Sequence, residues 1–187
     1  MSLNLIILDR DGVINYDSDN YIKNEEEWIP LPGSIEAISH LTKAGFTVCI
    51  ATNQSGLARG LFTEFDLARI HETMRTHVEE QGGKIEAIFY CPHGPNDGCK
   101  CRKPATGLLE QIESQFSQSL KNVWFIGDTE KDVDAAIAKQ CKPILVLTGK
   151  GLLTQSTINQ QKLLDIPVFD DLFSATMFVI ADAGLNT

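Results

Sequence analysis

The chain has no apolar run long enough to cross a bilayer. The run from Leu3 to Leu8 is interrupted by Asn4 and stops at Asp9-Arg10-Asp11, too short even for the apolar core of a signal segment. With no targeting segment visible, a soluble cytoplasmic protein without a membrane partner is expected. A basic excess is also lacking: 16 lysines and arginines face 25 aspartates and glutamates, a net charge of -9. Nucleic-acid partners need a basic stripe against their phosphates, so none is expected. A small anion is still allowed, because a few local cations outweigh a distant negative surface once water is excluded. Repeats, low-complexity tracts and linkers are absent, and no segment is large enough for a second domain or a large lid. One domain over residues 1–187 is expected. No heptad seam marks a partner surface, and a monomer is expected. Cysteines are few and odd in number, five in all. Without an export signal, that count argues against a disulfide framework and toward metal binding.

What is present is a chain that is 43% hydrophobic over 187 residues, enough for a sizeable core. Short β-rich runs alternate with helical spacing. Strands are expected at Asn4–Leu8, Phe46–Ala51, Ile85–Tyr90, Val123–Ile126, Ile144–Leu147 and, briefly, Pro167–Phe169. Helices are expected over Ser34–Lys43, from Thr63 to the Gly82-Gly83 pair with Phe65 on the buried face, from Pro104 to about Ser117, over Asp132–Gln140 and over Leu172–Ala183. Such alternation predicts a Rossmann-like, doubly wound α/β fold, with a mainly parallel sheet and helices on both faces. Ligands of such folds sit at the carboxyl ends of the strands, and that is where the polar residues cluster.

Asp9 and Asp11 follow the first strand. Two close carboxylates repel, and a cation relieves that repulsion. Mg2+ takes oxygen ligands from one or two carboxylates and from substrate phosphate. One carboxylate can attack phosphorus while the other handles the proton; a plain solvated Asp-Gly turn is the alternative. Asp128 and Asp132 follow the fourth strand, where helix capping is the alternative. Two acidic pairs at strand ends of one sheet favour a metal site. The hydroxyl and amides of Thr52-Asn53-Gln54-Ser55 suit phosphoryl oxygens, and Lys103 suits their charge. Arg59, in the flexible segment beyond, is a candidate for a second substrate anion. The polar loop Asp17-Ser18-Asp19-Asn20 is a candidate for substrate hydroxyls. His40, His71 and His77 read as structural or solvent-facing, and Glu25-Glu26-Glu27 as a solvated face.

Cys91, His93, Cys99 and Cys101 form the sharpest local signal: Cys-x-His, five residues, then Cys-x-Cys. Three thiolates and an imidazole fit a closed, tetrahedral, structural Zn2+ site. The resulting zinc loop, residues 91–101, runs straight into Arg102-Lys103, and it would fix those cations over the site. Cys49 and Cys141, in apolar segments, read as core residues.

Together these residues resemble the haloacid dehalogenase superfamily of phosphatases. Its motifs match at Asp9-Arg-Asp11-Gly12, Thr52-Asn53, Lys103-Pro104, and Gly127-Asp128 with Asp132. The zinc loop resembles that of a subgroup with little or no cap. The resemblance implies a hydrolase in carbohydrate metabolism, feeding surface polysaccharide, with Mg2+ and Zn2+ as cofactors. Its substrate would be a small phosphorylated sugar, with a phosphorylated amino alcohol as the alternative. Asp9 would be nucleophile and Mg2+ ligand. Asp11 would be the acid/base, holding Mg2+ through its main-chain carbonyl. Asp128 would be the other carboxylate ligand and Asp132 a supporting residue. Thr52 and Lys103 would bind the transferred phosphoryl group. Arg102, Thr129 and the Asp17–Asn20 loop would meet the rest of the substrate.

Overall fold

Alternate residues of the first strand feed two separate cores, and this fixes the architecture. In the computed structural model, which describes residues 3–184, β1 (Asn4–Leu8) lies at the centre of a six-stranded sheet. The others are β2 (Phe46–Asn53), β3 (Ile85–Cys91), β4 (Trp124–Gly127), β5 (Lys142–Val146) and β6 (Val168–Phe169). Their order is β3-β2-β1-β4-β5-β6, and every pairing is parallel. Parallel neighbours need crossovers. Helices α1 (Ser34–Lys43), α2 (Glu64–Glu80), α3 (Gly107–Phe116) and α4 (Glu130–Ala138) supply four of them, and α5 (Gly151–Thr157) with α6 (Gln160–Leu163) another. Helix α7 (Leu172–Asp182) follows the last strand.

Ile6 and Leu8 face Ile38 and Leu41 of α1, Ile70 and Met74 of α2, and Val179 of α7. Leu5 and Ile7 face Leu108 and Ile112 of α3 and Ala135 and Ala136 of α4. Each fully buried aliphatic side chain contributes about 1.5–3 kcal/mol, so β1 is clamped from both sides. The order reverses between β1 and β4, which opens a crevice at their carboxyl ends. The only helix in the β1–α1 connection is a one-turn 3-10 helix at Glu25–Glu27, so among the described residues that connection builds no cap domain over the crevice. No described helix is long and apolar enough to cross a membrane.

The elements differ from expectation at a few places. Helix α3 begins at Gly107 and not at Pro104. The segment before it is held in turns by bonds from the Ala105 amide to the Arg102 carbonyl, 2.8 Å, and from the Gly107 amide to the Lys100 carbonyl, 2.9 Å. Phe65 is 70% exposed, because the buried stripe of α2 runs through Leu67, Ile70, Met74 and Val78 and misses it. Helix α4 starts two residues earlier than Asp132, capped by Thr129. Helices α5 and α6 were not anticipated; they cover a small cluster of Val133, Leu145, Ile158 and Ile166 beside β5.

Candidate active site

Asp9 continues the line of β1: its amide donates to the Ile126 carbonyl of β4 at 2.9 Å. Its carboxylate is thereby held at the crevice floor, where Oδ1 accepts from the Arg10 amide at 2.7 Å. Asp128 leaves β4 beside it. Asp128 Oδ2 accepts from the Lys150 amide at 2.7 Å, while Oδ1 is buried without a hydrogen-bond partner. Gly12 (φ +82°) and Gly149 (φ +56°) press against this carboxylate. A Cβ would fall 2.2 Å from Oδ2 at Gly12 and 2.3 Å at Gly149. Only glycine fits in that contact, and the left-handed backbone demands it as well.

Asp132 closes a capping box: its Oδ2 accepts from the Thr129 amide at 3.0 Å and the Thr129 hydroxyl at 2.5 Å. Its other oxygen meets Lys103 Nζ at 2.5 Å. Lys103 is 2% exposed and also reaches Asp9 Oδ1 at 2.9 Å and the Ala51 carbonyl at 2.7 Å. Asn53 pins the backbone of Lys103 from both sides, donating to its carbonyl at 3.1 Å and accepting from its amide at 3.0 Å. The Lys103–Pro104 peptide is cis.

Ligand oxygens of Asp9, Asp128 and Asp132 lie within 4.8 Å of one another, close enough to share a metal ion. The electrostatics agree. Burial pushes Asp128 up to about 8, with repulsion from Asp132 and Asp9 adding to it. Burial likewise pushes Asp9 up to about 7, with Lys103 opposing and Asp132 and Asp11 assisting. Burial acts to lower Lys103, but Asp132 and Asp9 outweigh it and raise it. A cavity with more buried negative than positive charge, and one orphaned carboxylate oxygen, is chemically suited to a divalent cation.

Asp11 behaves differently. Burial works to raise it, yet Arg10, Asn15 and Gln54 hold it below the usual carboxylate range. Arg10 NH2 approaches Asp11 Oδ1 at 2.9 Å, and the Asn15 and Gln54 amides each donate to it at 2.9 Å. Gln54 Nε2 also donates to the Thr52 hydroxyl at 2.9 Å. Arg10 is itself 1% exposed and reaches Gln54 Oε1 at 3.2 Å and His71 Nε2 at 3.3 Å.

Beside β3, Cys91, His93, Cys99 and Cys101 gather their ligand atoms within 4.8 Å of one another. Sulfur separations are 3.6 Å for Cys91–Cys99, 3.7 Å for Cys99–Cys101 and 3.0 Å for Cys91–Cys101. His93 Nδ1 lies 3.6 Å from Cys91 and 3.3 Å from Cys101. A tetrahedron with bonds of about 2.3 Å has edges of roughly 3.8 Å, so most of these separations suit one ion. Arg102 donates to the His93 carbonyl at 3.2 Å, which ties the cation to this loop.

The resulting cleft has a volume of about 290 Å³. Asp9, Asp11, Thr52, Asn53, Gln54, Ser55, Arg102, Lys103, Asp128, Thr129 and Asp132 all line it, with Asp17, Ser18 and Asp19 at the mouth. Asn20 and Arg59 do not line it. Arg59 lies over the ring of Tyr21, 5.9 Å from the centroid, and Tyr21 is the residue that reaches the cleft. Three lining cations were missed: Arg10, Lys131 and Lys150. Lys150 was findable, since it follows the fifth strand as the other site residues follow theirs. Arg10 was visible between two aspartates, but its partners Gln54 and His71 are remote in sequence.

Fold and site define a HAD-type hydrolase, and residues 100–172 match the HAD-hydrolase-like family. A D-glycero-β-D-manno-heptose-1,7-bisphosphate 7-phosphatase of Pseudomonas aeruginosa is 53% identical over 172 residues, covering 92% of this chain and 95% of its own. One of the same name from Neisseria meningitidis is 43% identical over 180 residues, covering 96% of each chain. The crystal structure of D,D-heptose 1,7-bisphosphate phosphatase from B. bronchiseptica, complexed with magnesium and phosphate, superposes with a TM-score of 0.90 at 45% identity. It spans 95% of this chain and 98% of that one. The chain belongs to the D-glycero-β-D-manno-heptose-1,7-bisphosphate 7-phosphatase family.

Proposed function

We propose that this protein is a magnesium-dependent phosphatase that removes the 7-phosphate of D-glycero-β-D-manno-heptose 1,7-bisphosphate. The observation that carries the reaction is the buried Asp9 carboxylate, 2.9 Å from the Lys103 ammonium and facing Asp128. The substrate reading draws on the names of the close relatives. Asp9, Asp128 and the main-chain carbonyl of Asp11 would hold Mg2+, which when bound supplies positive charge to the phosphoryl oxygens and relieves repulsion among the carboxylates. Asp9 attacks phosphorus, and the bond to the sugar oxygen breaks as the aspartyl-phosphate forms. Asp11 gives its proton to the departing alkoxide, then takes one from the water that cleaves the aspartyl-phosphate and releases inorganic phosphate. Arg10 opposes protonation of Asp11, and the negative charge of a bound phosphate works the other way. Lys103 and Thr52 neutralise and orient the transferred group. Asn53 and Asp132 act through Lys103, and Gln54 through Asp11, as positioning residues.

Cys91, His93, Cys99 and Cys101 would hold Zn2+ as a closed structural site. The reading includes one domain over residues 1–187, working as a cytoplasmic monomer. Hydrolysis assays with magnesium, comparing the heptose bisphosphate with histidinol phosphate, provide the test. Efficient, magnesium-dependent release of one phosphate from the heptose bisphosphate is expected. Much faster hydrolysis of histidinol phosphate would overturn the substrate reading.

A further inference from the structure

Helix α2 turns Leu67, Ile70, Met74 and Val78 inward, and His71 stands in the same buried stripe. A polar ring among apolar neighbours costs free energy unless it is bonded. Its partner comes from the far side of the site: His71 Nε2 lies 3.3 Å from Arg10 NH1. A guanidinium offers donors only, so Nε2 accepts and the neutral ring carries its proton on Nδ1. Burial favours that neutral state, with the Arg10 charge assisting, and pushes His71 down to about 3. The Tyr90 ring packs against the imidazole, 6.0 Å away between centroids.

Arg10 is itself buried, so each of its nitrogens needs a partner. Nε donates to Asp11 Oδ1 at 3.1 Å. NH2 donates to Asp11 Oδ1 at 2.9 Å, to Asp11 Oδ2 at 3.0 Å and to Gln54 Oε1 at 3.2 Å. NH1 has His71 alone among the described residues. The guanidinium is a rigid plane, so a hold on NH1 sets the direction of the opposite edge, the one that carries Asp11. Gln54, the other anchor, bonds Asp11 and Thr52 as well, so it is not independent of the group being aimed. His71 does not line the cleft and fixes the plane from outside it. We propose that His71 is a positioning residue for proton transfer at Asp11, acting through Arg10. As the bond from Asp9 to phosphorus forms and the ester P–O bond breaks, the sugar oxygen takes the bonding electron pair and the Asp11 proton. His71 neither gains nor loses a proton in this step. It keeps the carboxyl that supplies the proton aimed at the leaving oxygen. This rests on the reading of Asp11 as the acid.

The test uses His71→Phe and His71→Gln, read as the ratio of kcat/KM for the heptose bisphosphate to kcat/KM for p-nitrophenyl phosphate. An alkoxide needs a proton to leave, whereas p-nitrophenolate leaves without one. His71→Phe should lower the ratio about tenfold, a part of what general-acid catalysis supplies. His71→Gln keeps an acceptor near the place of Nε2 and should restore most of it. Asp11→Asn should lower the ratio further, and His71→Phe added to it should have no additional effect. By nitrogen NMR of histidine-labelled wild type, His71 should be neutral at about pH 7 with its proton on Nδ1. An unchanged ratio in His71→Phe beside a lowered one in Asp11→Asn would overturn the role of His71 alone. So would an equal loss on both substrates in His71→Phe, or a proton on Nε2, which is readable even where His71→Phe fails to fold. Equal losses on both substrates in Asp11→Asn would remove Asp11 as the acid, and the role of His71 with it. If wild type does not hydrolyse the heptose bisphosphate, the substrate reading falls, and a hexose 6-phosphate serves as the alkyl ester in the same ratio.

Discussion

Asp9 and Asp128 carry charges that their surroundings resist. Their folded-state pKa values, about 7 and about 8, lie above the ordinary value near 4. A group raised in this way contributes its stability at low pH and loses it as the pH climbs through the folded value. The metal-free protein should therefore lose stability between about pH 4 and pH 8, read as Tm in the presence of a chelator. Asp128→Asn should flatten that slope and raise the chelated Tm at pH 8 by a few degrees, roughly 2–4 °C per kcal/mol for a chain of this size. The same variant should lose the Tm increase that magnesium gives wild type. Equal responses of the two proteins to magnesium would remove Asp128 from the metal site. Asp9→Asn should cut turnover by at least about 10³-fold, because in the proposed mechanism Asp9 forms the aspartyl-phosphate. Measurable burst formation of a phosphoenzyme in that variant would contradict the role of Asp9.

At the scale of elements, the loop from Cys91 to Lys103 and the turn at Gly149 do the positioning. Cys99→Ser should weaken zinc retention, speed amide exchange across residues 91–103 and raise KM, since Arg102 is tied to His93 and Lys103 lies two residues past Cys101. A zinc-free protein with normal kcat and KM would mean that the loop holds its cations unaided. Gly149→Ala places a methyl 2.3 Å from Asp128 Oδ2 in a left-handed backbone, so magnesium affinity should fall even where the fold survives. Titration of Tm with magnesium would read that loss. Most elements were legible in the sequence because strand and helix periodicities differ sharply, as in Asn4–Leu8 against Ser34–Lys43. The late start of α3 was not: the segment before it is held in turns by main-chain bonds from Ala105 to Arg102 and from Gly107 to Lys100, while Asn53 of β2, remote in sequence, pins Lys103 between them. Phe65 was misread for a local reason, since one apolar residue at a helix start says little about which stripe is buried.

At the scale of the whole molecule, one topological fact made the site readable. Six parallel strands point their carboxyl ends the same way, so residues after successive strands converge without knowledge of their distances. Asp9, Thr52, Lys103 and Asp128 were found by that rule. What it could not supply was commitment: which cations are already paired and which are free. Lys150 is paired with Asp17, remote in sequence, whereas the acids beside Lys131 on its own helix, Glu130 and Asp134, are taken by the remote Lys162.

The central place of β1 has a temporal meaning. Strand β1 is synthesised before both of its neighbours, and its second edge is completed only by β4, as Ile6 pairs with both Val48 and Trp124. The floor of the site then closes through a bond from the Thr148 hydroxyl to the Gly12 carbonyl, spanning 136 residues. Contacts of such long range form slowly, after local helices. On dilution from denaturant, helical circular dichroism should return before hydrolysis does, and a fragment ending before Lys150 should never become active. Activity in this molecule is a clock hand that moves last.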